Sequence, residues 1–167
     1  MRKVVVCSVA LIAIMMSEAR PHGKATGIVR ERMDQMVTLK DAMKTLKSEL
    51  SQGESYDAET VVAAADEIER HSGNALTEKF PDGSTQHSEA LPTVWNEFER
   101  FSELAEKMGL QARTLSASVE AKVPNVTARN WWFGSEETEK ASLPAPIDAL
   151  TSIADTCRAC HNDYRSD

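Results

Sequence analysis

Residues 144–165 read PAPIDALTSIADTCRACHNDYR, and this stretch decides the fold. A helix begins after Pro144 and Pro146. Ile147, Leu150, Ala154, Cys157, His161 and Tyr164 then recur at steps of three and four, which places them on one helical face. Within the helix, Cys157-Arg158-Ala159-Cys160-His161 spells C-x-x-C-H, the attachment signal of a c-type haem. Two thiols at this spacing can add to the two vinyl groups of one porphyrin, and the following imidazole reaches the iron from the same side. The helical phase turns Cys157, Cys160 and His161 toward one apolar side. A haem there is expected to lie against a helical core with one edge toward solvent.

The rest of the chain keeps the same period, and nothing alternates like a half-buried strand. A first helix from about Ala25 to Leu50 carries Val29, Met33, Met36, Met43, Leu46 and Leu50 as its apolar stripe. A second runs from about Asp57 to Leu76 with Val61, Ala65 and Ile68 inward, and Phe80-Pro81-Asp82-Gly83-Ser84 ends it. The third opens at Pro92. Its stripe is Val94, Phe98, Phe101, Ala105, Met108, Ala112, Leu115 and Val119, and Pro124 closes it. Gly109 interrupts this helix at a cost of about 1 kcal/mol relative to alanine where exposed. The long connection from Lys122 to Ala145 has no clean period. Its Trp131-Trp132-Phe133 is read as a cover for one end of the core or the haem edge, with an exposed docking patch as the alternative.

The other terminus predicts export. Arg2 and Lys3 precede the apolar run Val4–Met16, and Ser17-Glu18-Ala19 supplies a cleavage site, so residues 1–19 read as a signal peptide and residues 20–167 as one domain in the periplasm. The run is shorter than the ~18 residues of a membrane span, and no other segment is apolar enough. Removing Arg2, Lys3 and Glu18 changes the net charge from −7 to −8, which disfavours nucleic acid and favours redox partners with a basic docking face. Cys7 leaves with the signal, so the mature chain keeps only Cys157 and Cys160. A disulfide across so short a loop would stabilise little by chain entropy, and thioether bonds to haem explain the pair better.

With the haem signal on the last of four helices, the chain resembles the class II c-type cytochromes, the cytochrome c-prime family. The resemblance rests on four stretches: the ending Cys157 to Arg165, the turn Phe80 to Ser84, Pro92-Thr93-Val94-Trp95 at the start of the third helix, and the first-helix spacing in which Arg32 stands four residues before Met36 with Leu39, Met43 and Lys44 following in phase. It spans roughly Ala25 to Arg165, and the Trp131-Trp132 segment has no family counterpart. It implies an all-α antiparallel four-helix bundle with one covalent haem c on the C-terminal helix and the sixth iron position facing the first helix. Low-spin members place a methionine there; high-spin members leave an apolar side chain. On this pattern His161 is one axial ligand. Met36 is the other, because Arg32 precedes it by four and Met43 follows by seven. Met33, one turn away, is the alternative. Arg165, one turn beyond His161, is assigned to a haem propionate, with Asp167 as the competing partner and Arg32 as a weaker candidate. Homodimers are common in the family, so a homodimer is a further expectation.

These readings predict a non-enzymatic electron carrier with His/Met-ligated haem. The competing reading is a gas-binding protein for NO or CO with an open or displaceable sixth site. A third use of the same residues, zinc or thiol chemistry, would need a further ligand from His22, His71 or His87, none of which stands in a matched pair.

Overall fold

The computed structural model describes residues 25–122 and 143–166. The signal segment, His22, Trp131-Trp132-Phe133 and Asp167 lie outside them. The helices are α1 (Gly27–Leu50), α2 (Ala58–Arg70), the single turns α3 (Asn74–Thr77) and α4 (Thr93–Asn96), α5 (Phe98–Glu120) and α6 (Pro146–Tyr164). Among the described residues there is no strand, only one antiparallel bridge between Ala90 and Arg165. The chain is all-α, a bundle of four long helices.

The long helices pack around a ring: α1 on α2, α2 on α5, α5 on α6, with α6 meeting α1 least. Neighbours run antiparallel. Arg113 pairs with Glu69 and Ser116 donates to Asp66, so α5 ascends as α2 descends. Thr156 bonds Gln111 while Tyr164 bonds Glu97, which reverses α6 against α5 in the same way. The centre is aliphatic, with Leu46, Ile68, Leu115 and Ile153 fully enclosed. At one end, Phe101 stands edge-on to both Phe80 and Tyr164, with centroids 4.8 and 5.4 Å apart.

The second helix is shorter than its periodicity predicts. It starts on an Asp57 cap whose side chain accepts from the Thr60 N–H, and it stops at Arg70. Gly73 then takes φ +54, and its N–H donates to the Ala105 carbonyl of α5 at 3.0 Å. The third helix is not continuous from Pro92. Glu97 leaves helical geometry at φ −125, ψ 39 and separates α4 from α5. The cause lies outside the segment. The Thr93 hydroxyl donates to the Asp163 carbonyl, and the Trp95 indole N–H is shared between the Phe80 and Pro81 carbonyls. Phe98, expected inside, is consequently 41% exposed.

The inward face of α1 also differs. Val29, Leu46 and Leu50 are buried as expected, but Arg32, Gln35, Leu39 and Ala42 complete the buried face in place of the methionines. Arg32 stacks over Phe80 at 4.7 Å and donates to the Ser84 carbonyl, the Ser84 hydroxyl and the Lys79 carbonyl. It thereby clamps the turn after α3. Gln35 donates to the His71 and Ala75 carbonyls. Met36 and Met43 are partly buried against the core, and Met33 is half-exposed outside that packed set.

Candidate haem site

The attachment motif occupies the last two turns of α6. Cys157 and Cys160 are both free, half-buried and packed against the core. Their helix buries Ala149, Leu150, Ile153, Thr156 and Tyr164. The apolar face therefore sits further round than the sequence stripe implied. Ile147 is 51% exposed, and His161 lies on the exposed margin, not on the core side with the cysteines. At 3.6 residues per turn, His161 projects past Cys157 on the side away from the centre of that face.

Two contacts from α5 fix this turn. The Cys157 thiol donates to Met108 Sδ at 3.8 Å, and the Thr156 hydroxyl donates to Gln111 Oε1 at 2.9 Å. Met108 was legible as a core residue, but nothing in the sequence tied it to Cys157. Beyond the motif, the Leu91 N–H donates to the Tyr164 carbonyl and the Ser166 N–H to the Glu89 carbonyl. Arg165 Nε meets Glu89 Oε2 at 2.9 Å, so its guanidinium has a carboxylate partner other than Asp167. Arg32, the weaker propionate candidate, is committed to the Ser84 turn.

Burial pushes the Cys157 thiol up. Burial, then the charges of Cys157 and Asp163, push Cys160 up to about 11. Both are therefore protonated at neutral pH, a poor state for disulfide exchange or zinc binding. His161 moves the other way: desolvation where the ring meets the bundle lowers its pKa, the Arg165 cation adds to this, and Glu89 opposes it. Its neutral form, the one that ligates metals, is favoured. No group of three or more His, Cys, Asp or Glu able to hold a metal ion occurs among the described residues. His71 is engaged with Glu67 on α2, and His87 sits in a turn at φ 59.

Chemistry and placement fit a haem. Two half-buried thiols three residues apart and an imidazole on the next residue are the donors that covalent attachment and one axial position of such a group need. The fold and this donor set define a helical-bundle c-type haem protein.

The chain belongs to the cytochrome c' family: the family model described as "Cytochrome C'" matches residues 27–131. A cytochrome c-556 of Agrobacterium tumefaciens (strain II Chrys) is 31% identical over 140 residues, covering 83% of this chain and 97% of that protein. In fold, the chain is similar to the crystal structure of cytochrome c' from Thermochromatium tepidum, with TM-score 0.63 and 21% identity, covering 84% of this chain and 95% of that one. It is likewise similar to the nitric oxide complex of a cytochrome c prime mutant from Alcaligenes xylosoxidans, with TM-score 0.60 and 17% identity, over 84% and 94% of the two chains. Its cofactor is haem c, covalently attached. No helix of the described residues is long and apolar enough to cross a membrane.

Proposed function

We propose that this protein is an exported, non-enzymatic electron carrier whose haem iron is held by His161 and Met36. The observation that carries the reading is the placement of Met36. It is partly buried against the core on α1, whereas Met33 is outside the packed set. The groove between α1 and α2 is lined on the α1 side by Thr38, Asp41, Ala42 and Thr45, so Met36 and Met43 lie on the opposite flank, toward α6.

Cys157 and Cys160 would hold the haem and His161 would ligate it from α6. Gln111 steadies the turn that carries them through its bond from the Thr156 hydroxyl, while Met108 would remain only a packing neighbour of the Cys157 sulfur once its S–H has been consumed. When bound, haem c supplies one-electron redox chemistry, and a thioether ligand favours the reduced state relative to a second imidazole. The Glu89 contact uses Arg165 Nε, which leaves the terminal guanidinium nitrogens as donors for a propionate. Residues 1–19 direct export to the periplasm.

A visible spectrum of the exported holoprotein tests the ligand set. Low-spin bands in both oxidation states, unchanged by carbon monoxide at neutral pH, are expected. A high-spin reduced form that takes up carbon monoxide readily would replace the carrier by the gas-binding reading. Met36→Ala is expected to abolish the low-spin spectrum and Met33→Ala to preserve it; the reverse result would move the ligand to Met33.

A further inference from the structure

The chain is acidic overall, yet its charge is not evenly spread. Along α1 the acids and the lysines occupy different flanks. Asp41 lines the groove toward α2, and Asp34, seven residues earlier on the same side, is bound to Arg30. Lys40, Lys44 and Lys47 are all exposed and succeed one another at steps of four and three. Lys40 is four residues from Met36 and three from Met43, and Lys47 is four from Met43, so the lysines border the methionine flank that faces α6.

No ion pair engages Lys40 or Lys47 among the described residues, while Lys44 meets Asp41 at 3.3 Å in an exposed pair. Such a pair contributes little in water. Lys47 lies in the last turn of α1, where a cation offsets the helix dipole, but Lys40 is three turns from either end and gains nothing from it. Across the seam, Arg158 of α6 follows Cys157 but is paired with Asp155 at 2.6 Å, so among the described residues the unpaired cations at the seam are those of α1. Of the acids of α6, Asp155 holds Arg158, Asp148 lies seven residues earlier on the same outer face, and Asp163 pairs with Arg100 of α5.

We propose that Lys40, Lys44 and Lys47 form a cationic docking rim beside the α1–α6 seam, and that its partner is a redox protein presenting an acidic patch. The proposal rests on the reading that this seam holds the haem. Net charge alone favoured a basic partner; the local distribution reverses that at the place where an electron would leave. Fields at short range are set by the nearest charges, because at physiological salt the screening length is about 8 Å. The distant acids that dominate the sum are largely screened at the rim.

The test uses reduced holoprotein and hexacyanoferrate(III), an anionic one-electron oxidant. One electron passes from the protein to the reagent, which becomes hexacyanoferrate(II). The second-order rate is followed by stopped flow as ionic strength rises. Despite the negative net charge, the wild-type rate is expected to fall with salt. Relative to wild type, the K40E/K44E/K47E variant should be slower at low salt by about tenfold and converge with it at high salt. The control Lys107→Glu, on α5 across the bundle from α1, should stay within about twofold. A wild-type rate that rises with salt, or equal effects of Lys40→Glu and Lys107→Glu, overturns the rim.

A second readout needs no electron transfer. Poly-L-glutamate is expected to bind the wild-type holoprotein and not the triple variant. Binding to phosphatidylglycerol vesicles without binding to poly-L-glutamate would overturn the assignment to an acidic protein. The two proposals fail separately. A protein without the low-spin spectrum refutes the ligand set while the salt slope still reads the rim, and an inverted slope refutes the rim while the spectrum stands.

Discussion

Replacing Gly109 by alanine tests how closely α5 approaches the turn that follows α2. By helix propensity alone the change would stabilise the protein by about 1 kcal/mol. The structure reverses the sign. A Cβ at position 109 would stand 3.0 Å from the Cβ of Ser72, inside ordinary van der Waals contact. Ser72 cannot swing away, since a Cβ moves only with its backbone. That backbone is held: the Ser72 hydroxyl donates to the Ile68 carbonyl at 2.5 Å, and the neighbouring Gly73 N–H donates to Ala105 one turn before Gly109. Forcing this turn away from α5 carries an overpacking cost of about 1–3 kcal/mol and stretches the Gly73–Ala105 hydrogen bond, worth about 1 kcal/mol when intact. The net expectation for Gly109→Ala is a loss of about 1–2 kcal/mol, or roughly 3–6 °C in Tm for a domain of this size. Thermal and urea unfolding of the holoprotein measure it. The Ser72 background supplies the control. Ser72→Ala keeps the Cβ, so the Gly109→Ala penalty should persist there. Ser72→Gly removes it, and Gly109→Ala should then become stabilising by about 1 kcal/mol. A gain in stability from Gly109→Ala in the wild-type background would refute the close-packing argument.

Three further outcomes follow from other sites. Arg32→Ala leaves the Ser84 and Lys79 carbonyls without their donor and removes the cation from Phe80, so a loss of about 2–4 kcal/mol in urea unfolding is expected; Arg32→Lys, lacking the planar fork, should recover less than half of it. Ile153→Ala opens a cavity at a fully enclosed position and should cost about 2–5 kcal/mol by the same assay, whereas truncating the exposed Ile147 should cost under about 1 kcal/mol. The Asp57 carboxylate is held below its usual pKa, first by the Thr60 backbone N–H and then by the Thr60 side chain, so its stabilising effect is fully present above the ordinary aspartate pKa of about 3.9 and disappears as pH falls through the lowered folded value. The Tm gap between wild type and Asp57→Ala should thus be constant from pH 5 upward and narrow in stronger acid to the smaller gap between Asp57→Asn and Asp57→Ala, since the protonated carboxyl, like the amide, still accepts from the Thr60 N–H.

The sequence by itself determined the cofactor chemistry and the helical class. Cys157, Cys160 and His161 are adjacent along the chain, so their relation needs no tertiary structure. Periodicity and the punctuation at Pro81, Gly83 and Pro92 marked where the long helices lie. Only the tertiary structure decided which flank of each helix faces which neighbour. Period fixes the angle between residues on one helix but leaves open what covers them. That Arg32 and Gln35 turn inward is not legible in the sequence, because their partners, Ser84 and His71, come from 52 and 36 residues along the chain. The break at Glu97 was hidden for the same reason, since the groups that hold Thr93 and Trp95 belong to distant turns. In the sequence only the family pattern favours Met36 over Met33, because both lie on the same stripe, one turn apart. Both are partly buried, and what separates them is that Met36 packs against the core cluster while Met33 does not, a matter of how α1 is rotated about its own axis with Arg32 and Gln35 turned inward.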